Sequence, residues 1–393
     1  MFTREKVDQA VGLLEKHNLD IWLTLCRETM HTKDPALSLI YTGDAVWLSA
    51  FIVGKNGENI AIVGNHDAEA IRQRGEFDTV IGYDEDFKKP FLNTLQKLDP
   101  DKIGINFSQD NPAADGLSYG LWLKLNNLLE GTPYQDSLVS AAPLIGELRG
   151  IKTPGEIDKI CCSIACAEEI ISRVGEVVET GMDEIEISLL FKKEMRKEQV
   201  IEAWSAEGCP AVDCGPESEV GHSLPSPENI FQPGQLLHID FGVIKDNYAS
   251  DLQRVWYLLK PDEEEPPAHV TKAFNTVREA IEKAAEVIQP GIEGYQVDKV
   301  ARDTVVNAGY PEFKFALGHQ VGQKAHDGGS LLGPKWPRYG ETVKQPIKKG
   351  NVFTLELGVP TPAGYVGLEE IVMVSDSGCH FLSRPQREVW LLR

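Results

Sequence analysis

No run of about 18 apolar residues occurs in this chain, so nothing in it reads as a membrane-spanning helix. Its first residues carry charge throughout (Arg4, Glu5, Lys6, Asp8) and lack the apolar stretch of a secretory signal. Positive charge is scarce: 39 Lys and Arg face 60 Asp and Glu, a net charge of −21. An acidic surface repels nucleic acid and anionic lipid, so neither nucleic acid nor membrane is expected as a partner. The seven cysteines are an odd count, not a paired disulfide framework. Cys161, Cys162 and Cys166 cluster in a helical pattern, and Cys209 and Cys214 lack the second pair that a structural zinc site needs. They read as small buried thiols of a reducing cytoplasm.

What remains is 393 residues of globular composition, 42% hydrophobic and 25% charged, enough for two domains. Residues 1–145 alternate helix and strand patterns. Val7, Val11 and Leu14 have helical spacing, and DIWLTLC, DTVIGY and KIGINF read as strands. Residues 45–53 and 59–63 read as a hairpin around Lys55-Asn56-Gly57. Helical stretches are expected near 66–75 and 86–98, with His66 and Asp67 as a helix start. Thr153-Pro154-Gly155-Glu156 then opens a helix, with Thr153 as cap, Pro154 first in the helix and Glu156 completing a capping box. A second helix is expected at 183–197, strands and loops from 200 to 259, helices at 268–288 and 295–307, and strands to the end. Helix, helix, strands occurs twice over 146–393, which points to two α/β halves related by a pseudo-twofold. The acidic run at 261–267 reads as a solvated connector.

One stretch breaks the apolar pattern. HIDFGVIKDNYASD, residues 238–251, reads as a buried hairpin turning at Lys245-Asp246-Asn247, yet Asp240 and Asp251 sit in its apolar strands. Burying a lone carboxylate costs several kcal/mol unless something neutralises it, on the order of the desolvation of one ion. His319, Glu356 and Glu369 sit in similar apolar surroundings, and Glu370 reads as an edge residue turned to water on the opposite face. Any one such carboxylate alone reads as an edge residue too. Together, four carboxylates and one imidazole call for cations, and two divalent ions would balance the charge. This donor set suits Mn²⁺, Co²⁺, Zn²⁺ or Fe²⁺, and affinity alone does not choose among them; Mn²⁺ is the first expectation.

Residues 146–393 resemble the pita-bread metallopeptidases: methionine aminopeptidase, Xaa-Pro aminopeptidase, prolidase and creatinase. The motifs that carry the resemblance are His222, Asp240-Phe241-Gly242, Ser250-Asp251 with Arg254, Gly318-His319 with His326-Asp327, Phe353-Thr354-Leu355-Glu356, and Leu368-Glu369. Residues 1–145 look like the amino-terminal α/β domain of the creatinase and prolidase branch. The resemblance implies an α+β pita-bread catalytic domain. It implies that Asp240 holds one metal, that His319 and Glu356 hold the other, and that Asp251 and Glu369 bridge them. Glu356 would also be the general base, and His222 and His326 would contact the scissile carbonyl or move protons. His238, on the face of Asp240, is read as support for the site or as core. The remaining histidines are read as structural or surface groups.

The chain departs from the family's pattern at four places. Gln253 stands where Thr is usual, Leu357 where Pro is usual, Gly367 where many Xaa-Pro enzymes have Arg, and Ser330 where dipeptidases often place an Arg for the substrate carboxylate. Arg338, nearby in sequence, is the alternative for that last role. The expectation is a cytoplasmic, homodimeric metallo-aminopeptidase that cuts short peptides before proline. Xaa-Pro dipeptidase is the alternative. Creatinase-like chemistry is disfavoured because creatinase relatives lose metal ligands, and the non-enzymatic chaperone relatives have degraded ligand sets.

Overall fold

The computed structural model describes residues 2–221 and 223–393. The chain divides into two compact units, Met1–Arg149 and Gly150–Arg393. Among the described residues no helix is long and apolar enough to cross a membrane.

In the first unit the elements run α1 (Phe2–Lys16), β1 (Ile21–Cys26), β2 (Ser49–Gly54), β3 (Asn59–Gly64), α2 (Asn65–Arg74), β4 (Thr79–Tyr83), α3 (Lys88–Leu98), β5 (Ile103–Ile105), α4 (Tyr119–Leu129), β6 (Leu138–Ser140) and α5 (Ala142–Gly150). The strands form one mixed sheet of order β4-β3-β2-β1-β5-β6. Strand alternation supplies two faces. Trp22, Phe51, Val53 and Val63 pack with Val7 and Leu14 of α1 and Ile71 of α2. Ile21, Leu23, Ile52 and Ile62 pack with Phe91 and Leu95 of α3 and Leu121 and Leu125 of α4. Burial on both faces explains why β1 and β2 read as continuous apolar runs. The expected strand over 45–53 begins only at Ser49. Before it, the Ala45 and Val46 amides donate to the side chains of Thr29 and Asp67 instead of a ladder.

The second unit opens with α6 (Pro154–Gly175) and α7 (Glu184–Glu198). The Thr153 hydroxyl accepts from the Glu156 amide at 3.3 Å and the Glu156 carboxylate accepts from the Thr153 amide at 2.8 Å, which closes the capping box. Then come β7 (Ile201–Glu202), β8 (Ala211–Cys214), β9 (Leu236–Phe241), β10 (Val243–Lys245), β11 (Tyr248–Ala249) and β12 (Leu252–Leu258). Helices α8 (Ala268–Val287) and α9 (Gly294–Asn307) precede β13 (Val352–Thr361), β14 (Gly364–Val374), β15 (Cys379–Phe381) and β16 (Trp390–Leu392). A helix pair followed by strands thus occurs twice, the pseudo-twofold pita-bread arrangement.

The 238–251 stretch serves two sheets. Asp246 and Asn247 take φ of 50° and 65°, the conformation that a two-residue hairpin turn needs, and join β10 to β11 in a small sheet with β7. On either side, β9 and β12 pair antiparallel in the main sheet of order β13-β14-β12-β9-β8. On its α8 side, Val270, Phe274, Val277 and Ile281 join one buried cluster with Leu355, Leu357 and Leu368. Leu357, unusual for the family's pattern, therefore points into this core.

Candidate metal centre

Sheet register builds the centre. Gln253 on β12 lies opposite Asp240 on β9 and opposite Glu369 on β14, and Glu369 lies opposite Glu356 on β13. Residues directly opposite share a face. The row Asp240–Gln253–Glu369–Glu356 therefore crosses four strands on the face away from the Leu355, Leu357 and Leu368 core. Asp251, just before β12, is buried with a donor atom within 4.8 Å of one from Glu369.

His319 comes from outside the sheet. The sequence places it in a strand. Instead residues 317–320 run beside β13 without forming a continuous ladder. The His319 carbonyl accepts from the Thr354 amide at 2.9 Å, and the Glu356 amide donates to Leu317 at 2.7 Å. Gly318 permits this approach, because a Cβ there would lie 2.0 Å from the Thr354 carbonyl oxygen. The His319 Nε2 atom stands 3.3 Å from Glu356 Oε1 and 3.8 Å from Asp251 Oδ2. The His326 ring lies 4.0 Å from the His319 ring, centre to centre. The buried Lys152–Asp327 ion pair, at 2.9 Å, anchors the residue after His326. The remaining expected site residue, His222, lies outside the described residues.

The charges are crowded. Burial, with the neighbouring Glu356 charge, pushes the Asp240 carboxyl up to about 7. Burial and the charges of Asp240 and Glu356 raise Asp251 well above the carboxylate range. Burial and the charges of Asp251, Glu356 and Asp240 do the same to Glu369. Two carboxylate oxygens, Asp240 Oδ1 and Glu369 Oε1, are buried with no hydrogen-bond partner among the described residues. Such orphans are rare in a folded interior and call for an ion or water. Donor atoms of Asp251, His319 and Glu369 all lie within 4.8 Å of one another. Carboxylates plus one imidazole, with unpartnered oxygens turned inward, fit divalent cations.

A pH effect follows. Asp240, Asp251 and Glu369 have folded pKa values above their unfolded ones. The metal-free folded state therefore binds protons that the unfolded chain releases. That stability is present at low pH and is lost as pH rises, for Asp240 between its ordinary value of 3.8 and about 7. Metal-stripped protein is expected to melt at progressively lower temperature from about pH 5 to about pH 8, and saturating Mn²⁺ should remove that slope. A metal-free melting temperature that climbs over the same range would contradict the crowding.

Two neighbours were harder to foresee. Asp213 on the short strand β8 accepts from His238 Nδ1 at 2.7 Å, and His238 Nε2 lies 3.0 Å from Gln253 Oε1. A carboxylate inside the apolar run AVDC is the same signal that Asp240 carries, and it could have singled out Asp213. Glu370 corrects an expectation. It is 2% exposed rather than facing water. Its carboxylate pairs with Arg254 Nη2 at 3.1 Å and accepts from the Ser383 hydroxyl at 2.6 Å and the Gln386 amide at 3.0 Å. Strand alternation named its face but not what covers that face. The thiols correct another: all seven cysteines are free, but Cys162 is exposed.

Buried carboxylates crowded on a pita-bread sheet fit a divalent-cation site, and sequence comparison places the chain more closely. Residues 158–376 match metallopeptidase family M24, and the chain belongs to that family. The Xaa-Pro dipeptidase of Pyrococcus horikoshii is 29% identical over 397 residues, covering 98% of each chain. The Xaa-Pro dipeptidase of Pyrococcus furiosus is 29% identical over 252 residues, 63% of this chain and 66% of that one. Among solved structures, the X-Pro aminopeptidase of Thermotoga maritima superposes with a TM-score of 0.73 at 23% identity, over 98% of this chain and 99% of that one. An Xaa-Pro dipeptidase of Bacillus anthracis superposes with a TM-score of 0.77 at 20% identity, over 99% and 100% of the two chains. These superpositions speak for the fold.

Proposed function

We propose that this protein is a dinuclear metallo-aminopeptidase that removes the N-terminal residue from short peptides, preferring a bond that precedes proline. The observation that carries the reading is the Asp240–Gln253–Glu369–Glu356 row with Asp251 and His319 beside it. Asp240, Asp251, His319, Glu356 and Glu369 would hold two divalent ions, with Mn²⁺ the first choice. When bound, such ions supply Lewis-acid polarisation and a water of lowered pKa. Glu356, partly open and 3.3 Å from His319, takes the proton from the attacking water as general base. Of His326, packed on His319, and His222, one steadies the scissile carbonyl as it gains negative charge, and both move protons or orient substrate. The tertiary Xaa-Pro amide has no N–H, so recognition falls on its carbonyl and on the free amino terminus.

The choice of aminopeptidase over dipeptidase rests on Ser330 and Arg338. Ser330 is buried and accepts from Gln320 Nε2 at 2.9 Å. Arg338 stacks over Trp336 and Tyr339, 4.7 and 4.9 Å from their ring centres, and donates to the Lys314 carbonyl. Ser330 has no guanidinium to offer, and that of Arg338 is engaged with Trp336, Tyr339 and the Lys314 carbonyl. The names of the Pyrococcus relatives favour the dipeptidase reading instead. A homodimer in the cytoplasm completes the proposal, and free cysteines are what a reducing compartment leaves. An Xaa-Pro-Xaa tripeptide assayed beside the matching Xaa-Pro dipeptide, with Mn²⁺, decides. Tripeptide cleavage is expected to be at least about 10-fold faster, because a site lacking a carboxylate partner should leave that charge unpaired. Dipeptide cleavage alone would make the protein a prolidase.

A further inference from the structure

Gln253 is the one side chain in the carboxylate row that is not a carboxylate. Its amide nitrogen lies 2.9 Å from Glu356 Oε2 and 3.3 Å from Glu369 Oε2. Both partners are carboxylate oxygens, so the nitrogen must face them and the amide oxygen must face away. That oxygen meets His238 Nε2 at 3.0 Å, and the other ring nitrogen meets Asp213 Oδ2 at 2.7 Å. Donation into the row therefore runs one way: His238 Nε2–H gives to Gln253 Oε1, and Gln253 gives its two N–H groups to Glu356 and Glu369. The chain is buried: Asp213 is 3% exposed, His238 4% and Gln253 7%. Tyr365 seals it, its ring edge-on to His238 at 5.2 Å.

Gly367 makes room for this arrangement. It lies two residues before Glu369 on β14, and a Cβ there would stand 2.5 Å from His238 Nε2 and 2.8 Å from Gln253 Oε1. Any larger side chain at 367 would displace the His238–Gln253 contact. Two departures from the family's pattern, Gln253 and Gly367, are thus one structural feature.

We infer that Asp213, His238 and Gln253 form a positioning relay that holds Glu356 and Glu369 in the orientation needed for metal. By engaging Oε2 of each carboxylate, Gln253 leaves Glu356 Oε1 towards His319 and Glu369 Oε1 without a hydrogen bond among the described residues. His238 and Asp213 touch neither carboxylate and act through Gln253. A threonine at 253 could not reach from His238 to both. The inference rests on the metal reading proposed above.

The test is a double-mutant cycle read by calorimetric titration of Mn²⁺ into metal-stripped protein. Gln253→Met and His238→Phe keep volume and remove the hydrogen bonds. Each is expected to weaken Mn²⁺ binding about 10- to 100-fold, the usual cost of losing a partner that orients a metal ligand. The double variant should bind about as weakly as Gln253→Met alone, because His238 works through Gln253. Gly367→Ala, which keeps every relay residue and adds one methyl group against it, should weaken Mn²⁺ binding as well, and it serves if a relay variant does not fold. Melting temperatures of the metal-free variants separate orientation from folding. Wild-type Mn²⁺ affinity in all three single variants, or losses that multiply in the double variant, would overturn the relay while leaving the metal site in place. A wild-type protein that takes up no Mn²⁺ would overturn the metal reading and the relay with it.

Discussion

Asp251→Asn is expected to abolish peptide hydrolysis while leaving a well-folded protein. Asp251 is buried, 3.8 Å from His319, with a donor atom within 4.8 Å of those of His319 and Glu369. The amide keeps the shape and removes one of the negative charges that the proposed ions would need. Loss of kcat/KM should exceed the about 100-fold that a merely supporting partner costs. The variant's metal-free stability should move the other way. Burial and the charges of Asp240 and Glu356 raise the Asp251 pKa in the folded protein, so ionised Asp251 destabilises the metal-free fold at neutral pH. Asp251→Asn stripped of metal should therefore melt at or above the wild-type temperature at about pH 8. An inactive variant that melts far below wild type would point to a folding role instead. Full activity would remove Asp251 from the site.

Glu370→Ala should cost stability as severely as Asp251→Asn costs activity. Arg254 is 2% exposed, and its guanidinium also donates to the carbonyls of Gln253, Glu369 and Arg384. Glu370 supplies the negative charge that Arg254 pairs with, at 3.1 Å. Removing one partner of a buried ion pair leaves an uncompensated charge and costs about 3–5 kcal/mol. In a unit of this size the melting temperature should fall by roughly 10 °C. Glu370→Gln, which keeps the hydrogen-bonding shape and loses the charge, should lose less. Thermal unfolding of both variants beside wild type checks this, and an unchanged Glu370→Ala melting temperature would show that Arg254 is not held by that pair.

These two residues mark where the sequence is legible and where it is not. Asp251 stood out because a carboxylate in an apolar strand is costly wherever the strand goes. The same logic reached Asp240, Glu356 and Glu369, and the register of β9, β12, β13 and β14 brings them into one row. Glu370 obeyed the alternation too, on the opposite face. Its burial depends on Ser383 and Gln386, which fold back from beyond β15, and no local pattern announces that. Asp213 carries the same signal, but its strand has only four residues and runs straight into Gly215-Pro216, too short a pattern to stand out from loop. The apolar neighbours of His319 predict a strand. The backbone beside β13 is extended but meets it only through scattered hydrogen bonds, so apolar character there reports burial and not a ladder. Helix signals were the most direct. The capping box at Thr153 and Glu156 is a local hydrogen-bond pattern that needs no tertiary context.

The central claim is that the crowded carboxylates are neutralised by divalent metal. Elemental analysis of the purified wild-type chain, after equilibration with Mn²⁺ and removal of free ion, tests it most directly, with Asp251→Asn treated alongside. The expected result is about two ions per wild-type chain and a clear deficit in the variant. Wild-type protein that retains no metal, and that cleaves peptide equally well in chelator, would contradict it.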